Sequence, residues 1–193
     1  MDLKAGLKLP KIKIDRKDAL VAVTAAVAVI SILLCGWTIF IDYTETSRVA
    51  AFGNHVAASE ADLFLLSDDI AVHMRSHPDH PSIAECDAYM QELAALADRG
   101  RAVTAYHRQV IAADEVPEAY TAAQSAYTRA LDHLNRAFSL WSSAAAAYDA
   151  KAYSAAKENL AGADRAWRDY VAAIGDYDRE LRIAEEGGEA PPA

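Results

Sequence analysis

The sequence predicts an all-α protein, with an N-terminal transmembrane helix continuing into an antiparallel, up-down four-helix bundle. Three observations carry that expectation. An uncharged apolar run fills residues 19–41. Beyond it, four stretches place apolar residues at alternating three- and four-residue steps, which line one face of a helix. Gly and Pro are scarce, eight and six in 193 residues, and the prolines fall outside the four stretches, where they do no harm to helices. Much of the 53% hydrophobic content is alanine, the strongest helix former.

Residues 1–18 form a basic tail: Lys4, Lys8, Lys11, Lys13, Arg16 and Lys17 outnumber Asp2, Asp15 and Asp18. The uncharged run that follows, at about 1.5 Å per residue, is long enough to cross a ~30 Å hydrocarbon core. The basic flank places the N-terminus in the cytoplasm and everything after the run outside it. Trp37 and Tyr43 sit at the far end, where amphipathic rings favour the membrane interface. A cleaved signal peptide would have a shorter apolar region and a small-residue cleavage site, whereas this run leads into Asp42-Tyr43-Thr44-Glu45. Leu33-Leu34-Cys35-Gly36 echoes a lipoprotein cleavage site, but Leu34 is large and the apolar run continues past Cys35. A pilin-like start at Asp18-Ala19-Leu20 lacks a small residue before Asp18. The expectation is an uncleaved, single-pass anchor in the cell membrane. The segment 7–14 alternates apolar and basic residues, a pattern that can lie on anionic lipid at about 1 kcal/mol per basic residue, although topogenic charge alone accounts for it.

The extracytoplasmic bundle is expected over 42–186. Its first stripe is Val49, Phe52, Val56, Ser59, Leu63, Leu66, Ile70, His73 and His77. Pro78 and Pro81 end it, because each disfavours helical geometry in the residue before it. Ser82 and Glu85 make a capping-box pattern, and the second stripe runs Cys86, Met90, Leu93, Ala97, Gly100, Val103, His107, Val110. Asp114-Glu115-Val116-Pro117 breaks it, with Pro117 suited to the first turn of the next helix. The third stripe is Tyr120, Gln124, Tyr127, Leu131, Leu134, Phe138, Trp141, Ala145, Tyr148, and the fourth Tyr153, Ala156, Leu160, Ala163, Trp167, Tyr170, Ile174, Tyr177, Leu181. Between Tyr148 and Tyr153 the rhythm slips, which predicts a tight helical hairpin; one long continuous helix is the alternative. Gly187 and Gly188 end the fourth helix, and 187–193 read as a disordered tail. Short connections between helices of similar length give antiparallel neighbours. The layout, and only the layout, resembles the sensing domains of bacterial and archaeal chemoreceptors.

Charge and motifs exclude several functions. The chain carries a net charge of −9 although its tail is basic, so the bundle is strongly acidic and repels phosphate backbones; nucleic acid is not an expected partner. Glu-x-x-His pairs for a di-iron centre, Cys-x-x-Cys-His for covalent haem, a P-loop, Gly-x-Ser-x-Gly and His-Glu-x-x-His are all absent from the sequence. Residues 151–186 hold neither His nor Met to ligate a haem. The chain is therefore expected not to be an enzyme. Cys35 and Cys86 lie too far apart in the predicted fold to bridge.

One local cluster suggests metal chemistry. His73 and His77 are one helical turn apart, and the returning helix brings Cys86 near them; imidazole and thiolate together suit zinc or copper. A hydrated polar tip, with histidines favoured by the helix C-terminus, is the plainer reading, so no cofactor is expected by default. His107 reads as a satisfied core histidine, and the tyrosine stripe as core, with a small-molecule pocket between helices as its functional alternative. The leading expectation of function is a membrane-anchored, non-enzymatic interaction module that docks a partner protein or a second copy of itself. The alternative is a small-ligand or metal-binding sensor-like domain without a signalling output of its own.

Overall fold

Four α-helices and a 3₁₀ turn make up the described residues, with no strand among them: α1 Arg16–Arg75, α2 Ile83–Ala112, the turn Glu118–Tyr120, α3 Thr121–Asp149 and α4 Tyr153–Gly188. The structure is a computed structural model describing residues 16–76 and 82–188, with side chains described for 41–76 and 82–187. The chain divides into two units, Met1–Thr44 and Glu45–Ala193. In the first, the backbone is helical from Arg16 onward. The side chains of the apolar run lie, except for Ile41, outside the described residues, as do residues 1–15 and the tail from 189. Among the described residues no helix is long and apolar enough to cross a membrane.

In the second unit the helices begin and end for local reasons. Ser82 caps α2: its hydroxyl accepts from the Glu85 N–H at 3.3 Å, and the Ser82 N–H donates to the Glu85 carboxylate at 2.7 Å. That bond holds the Glu85 carboxyl below the usual range. The C-terminus of α2 is closed from another helix. The Gln124 side-chain amide donates to the carbonyls of Ile111 (2.7 Å) and Asp114 (2.8 Å), acceptors that a helix end leaves orphaned. Pro117 does not open α3 as expected but precedes the 3₁₀ turn, so α3 starts at Thr121. The hairpin between α3 and α4 is present. Lys151 takes a left-handed backbone with φ 62°. The Ala152 N–H reaches back to the Ala147 carbonyl and the Lys151 N–H to that of Tyr148, both at 2.9 Å, the bond pair of a Schellman motif. Helix α4 takes in Gly187 and Gly188, running past the expected boundary.

Neighbouring helices run antiparallel, since residue numbers rise along one as they fall along the next. Between α1 and α2 the pairs are Asp62–His107 and Asp69–Arg99, and Arg48 of α1 pairs with Glu115 in the turn just after α2. Between α2 and α3, Arg108 pairs with Asp132 and Ser142 with Asp98. Between α3 and α4, Arg129 pairs with Asp176 and the Trp141 ring stacks on Trp167.

The core has two apolar clusters. One joins Leu66, Ile70, Leu93, Leu134, Phe138 and Trp141; the other joins Phe52, Val56, Ile111, Tyr127, Leu131 and Tyr177. Between them along α1 and α2 lies a polar layer of Ser59, Thr104 and His107, all buried. Thr104 donates to the Gly100 carbonyl at 2.8 Å and accepts from the Asn135 amide at 2.7 Å, so its hydroxyl is satisfied where apolar packing is interrupted. Helix α3 is buried on two sides: beside its large residues, Ala123, Ala130, Ala137 and Ala144 are fully covered. Ala166 and Ala173 of α4 are buried too, and such small side chains let helix backbones pack closely.

Candidate functional site

Of the residues expected to hold a metal, His73 and Cys86 fall among those described. His73, at the end of α1, is 4% exposed. Its Nδ1–H donates to Glu92 of α2 at 3.2 Å, and its ring stacks on Tyr89 with centroids 4.0 Å apart. Its Nε2 is buried and has no hydrogen-bond partner among the described residues. Cys86 is a free, half-buried thiol in the first turn of α2. His77 lies outside the described residues. Among those described, no group of three or more His, Cys, Asp or Glu side chains is placed to hold an ion.

His107 is the satisfied core histidine its stripe position suggested. It is 3% exposed, and its Nε2–H donates to Asp62 of α1 at 2.8 Å. His55 makes the equivalent bond to Asp114 at 2.9 Å. The α1–α2 seam thus pairs histidines with carboxylates at three levels, a feature legible only once the helices are set side by side.

The tyrosine stripe divides by location. Tyr148 and Tyr153 meet edge-to-face at the hairpin, 5.5 Å between centroids. Tyr127 and Tyr177 pack edge-to-face at 4.9 Å in the core. Tyr127 and Tyr170 also line a cavity of about 280 Å³ between α1, α3 and α4. Phe64, Phe138 and Trp167 complete its aromatic lining, and Leu63, Leu66, Ile70, Leu134 and Ile174 its aliphatic part. The polar contribution comes from Ser67 and Glu60 besides the phenols. Burial raises the pKa of Tyr127, Tyr170 and Tyr177, with the Glu60 charge adding to each; Tyr177 is pushed up to about 12. These phenols stay neutral donors at any physiological pH.

No known protein family, curated protein or solved structure matches the chain.

One surface escaped the sequence reading. On α1, Ala51, Ala58, Leu65 and Val72 recur every seven residues, with Asn54, Ala61 and Asp68 between them, and all seven are exposed. Leu65 is 65% exposed, Val72 56% and the adjoining Phe64 71%. The solvent side of α4 carries Lys157, Asp164, Arg165, Arg168, Asp169 and Arg182 instead. The outer α1 stripe has the same three-four rhythm as the inner one, but its alanines carry little hydrophobic weight, so the large inner residues dominate the pattern.

Proposed function

We propose that the chain is a membrane-anchored extracytoplasmic helical bundle that works by protein docking rather than catalysis, and that its first partner is a second copy of itself. The single observation behind this reading is the outer face of α1. A helix apolar on one face is a surface helix; one apolar on opposite faces is a buried one. Helix α1 buries Phe52, Val56, Leu66 and Ile70 inward and presents an alanine-rich stripe with Leu65 and Val72 outward. That outer stripe has the three-four spacing of a coiled-coil seam, and Asn54 within it is the kind of residue that fixes register by pairing with its own copy. The anchor and the topology rest on the sequence: the uncharged run at 19–41, the basic residues before it and the aromatic residues at its far end.

A cysteine replacing Ala61, in a background with Cys35 and Cys86 replaced by Ala, tests both parts. Intact cells treated with a membrane-impermeant thiol cross-linker are expected to yield a covalent dimer, and Ala58→Arg with Leu65→Arg to abolish it. A dimer formed only after detergent solubilisation overturns the topology. No dimer under either condition overturns self-docking.

A metal-binding reading of His73, His77 and Cys86 keeps one observation in its favour. The Nδ1–H of His73 is oriented by a carboxylate and its Nε2 is left open, as in second-shell arrangements around zinc. Zinc bound there raises the melting temperature by mass action, and His77→Ala removes the rise. An unchanged melting temperature on adding zinc to the wild type ends this reading.

A further inference from the structure

From the cavity between α1, α3 and α4 we infer a binding site for a small organic cation, an ammonium group carrying apolar substituents. The inference stands apart from self-docking, which uses the Ala51, Ala58, Leu65 and Val72 stripe of α1; of the cavity residues, Phe64 adjoins that stripe. The cavity's volume of about 280 Å³ lies at the small end of ligand pockets. Five of its walls are aromatic: Phe64, Tyr127, Phe138, Trp167 and Tyr170. The faces of such rings carry negative charge density and attract cations, indole most strongly. Trp167 and Tyr170 are half-buried and set edge-to-face with centroids 5.8 Å apart, so two ring systems at different tilts border the same space.

Electrostatics decides the sign of the ligand. Among the described residues Glu60 is the one charged residue lining the cavity. The ion pairs among the described residues tie down Asp62 and Asp69 of the same helix but leave Glu60 out. The ionisable groups facing it from the packed helices are Tyr127, Tyr170 and Tyr177. Burial keeps all three protonated, so none carries a positive charge and none adds a second negative one. An anion entering this space meets a carboxylate and ring faces, both repulsive. A neutral apolar molecule gains the aliphatic walls and nothing from Glu60. A cation with apolar substituents gains all three. Trp167 stacks on Trp141 at 6.0 Å, and Trp141 packs edge-to-face on Phe138 at 5.5 Å, so the cage is braced from behind and holds its shape without ligand.

The test is calorimetric titration of the purified full-length chain in non-ionic detergent with benzyltrimethylammonium chloride, and in parallel with sodium phenylacetate. Saturable binding of the cation near one per chain is expected, with none of the anion. Glu60→Gln changes an exposed side chain and leaves the fold intact, as circular dichroism verifies; it weakens the cation roughly fivefold or more. Trp167→Leu keeps an apolar wall but loses the ring face, and weakens binding as well. Glu158→Gln, exposed on α4 and outside the lining, leaves affinity unchanged. Absence of saturable heat with the wild type overturns the inference. So does equal affinity in Glu60→Gln, or phenylacetate binding as well as the cation.

Discussion

Gly100 has no side chain because Phe138 occupies the place one would take. A Cβ built there falls 2.6 Å from two atoms of the Phe138 ring, well inside contact distance. The ring is 1% exposed and packs edge-to-face against Trp141. Gly100→Ala therefore forces α2 away from α3, with an expected loss of about 1–3 kcal/mol, read as a lower denaturant midpoint with an unchanged slope. An unshifted midpoint would mean that the ring yields freely. By sequence, Gly100 falls on the inward stripe of α2. That a glycine stands among core positions is visible in the sequence; that a phenylalanine from the next helix fills its space is not. Gln124 is a similar case. It occupies a core-stripe position as a polar residue, and only the adjacent end of α2 supplies the reason, two carbonyls within hydrogen-bond reach.

Among elements, the α3–α4 joint shows how far periodicity carries. The five-residue step from Tyr148 to Tyr153 marks a break in the helix rhythm, and the chain does turn there. The turn type stayed hidden because Lys151 holds the left-handed position where glycine is the usual resident. A side chain at positive φ costs roughly 1–2 kcal/mol. Some of that is recovered by the Lys151 ammonium, 5.5 Å above the Tyr148 ring. Lys151→Gly is expected to raise stability by about 1 kcal/mol, seen as a higher melting temperature; a fall would mean that the cation–ring contact outweighs the backbone strain. The stripes themselves were legible because large residues mark them. Phe52, Val56, Leu66 and Ile70 of α1 and Tyr127 to Trp141 of α3 are buried as expected. In the later part of α2 the expected Val103 and Val110 are half-buried, and their neighbours Thr104 and Ile111 are buried instead. Ala145, Ala156 and Ala163 are buried as their stripe positions imply, whereas Ala123, Ala130, Ala137 and Ala144 of α3 and Ala166 and Ala173 of α4 are buried outside the stripes, since an alanine favours a helix without declaring a face. The outer α1 stripe was missed for the same reason.

For the molecule as a whole, the buried phenols set an alkaline limit. Tyr127, Tyr170 and Tyr177 come from two helices and share the neighbourhood of Glu60, and burial raises all three above the ordinary phenol value. A folded-state pKa above the unfolded one means that the folded chain holds the proton more tightly. The associated stability is complete below pH ~10, where both states are protonated. It drains away as pH rises from there toward about 12, the value to which Tyr177 is pushed. The measurement is phenolate absorbance followed alongside helical circular dichroism. The phenolate signal of Tyr127, Tyr170 and Tyr177 is expected to appear together with loss of helix. Smooth titration of all tyrosines without unfolding would contradict the burial of these rings.

The short turn at 150–152 also bears on the order in which the chain organises itself. From that turn the α3–α4 pairs open outward in sequence: Tyr148 with Tyr153, Trp141 with Trp167, Arg129 with Asp176. Each pair enlarges the closed loop only a little beyond the last, so the entropy of closure accrues in small increments. Helix α1 meets α2 by a local route of the same kind, through His73 with Glu92, Asp69 with Arg99 and Asp62 with His107, but its contacts with α3 and α4 have none. Leu66 reaches the cluster that Trp167 packs against only after the intervening chain has been laid down. Synthesis proceeds from the N-terminus, so the helix made first is the one whose packing is completed last. Until then the part of its inward face that α3 and α4 will cover, and its whole outward face, stand open, and whatever else is apolar nearby competes for them.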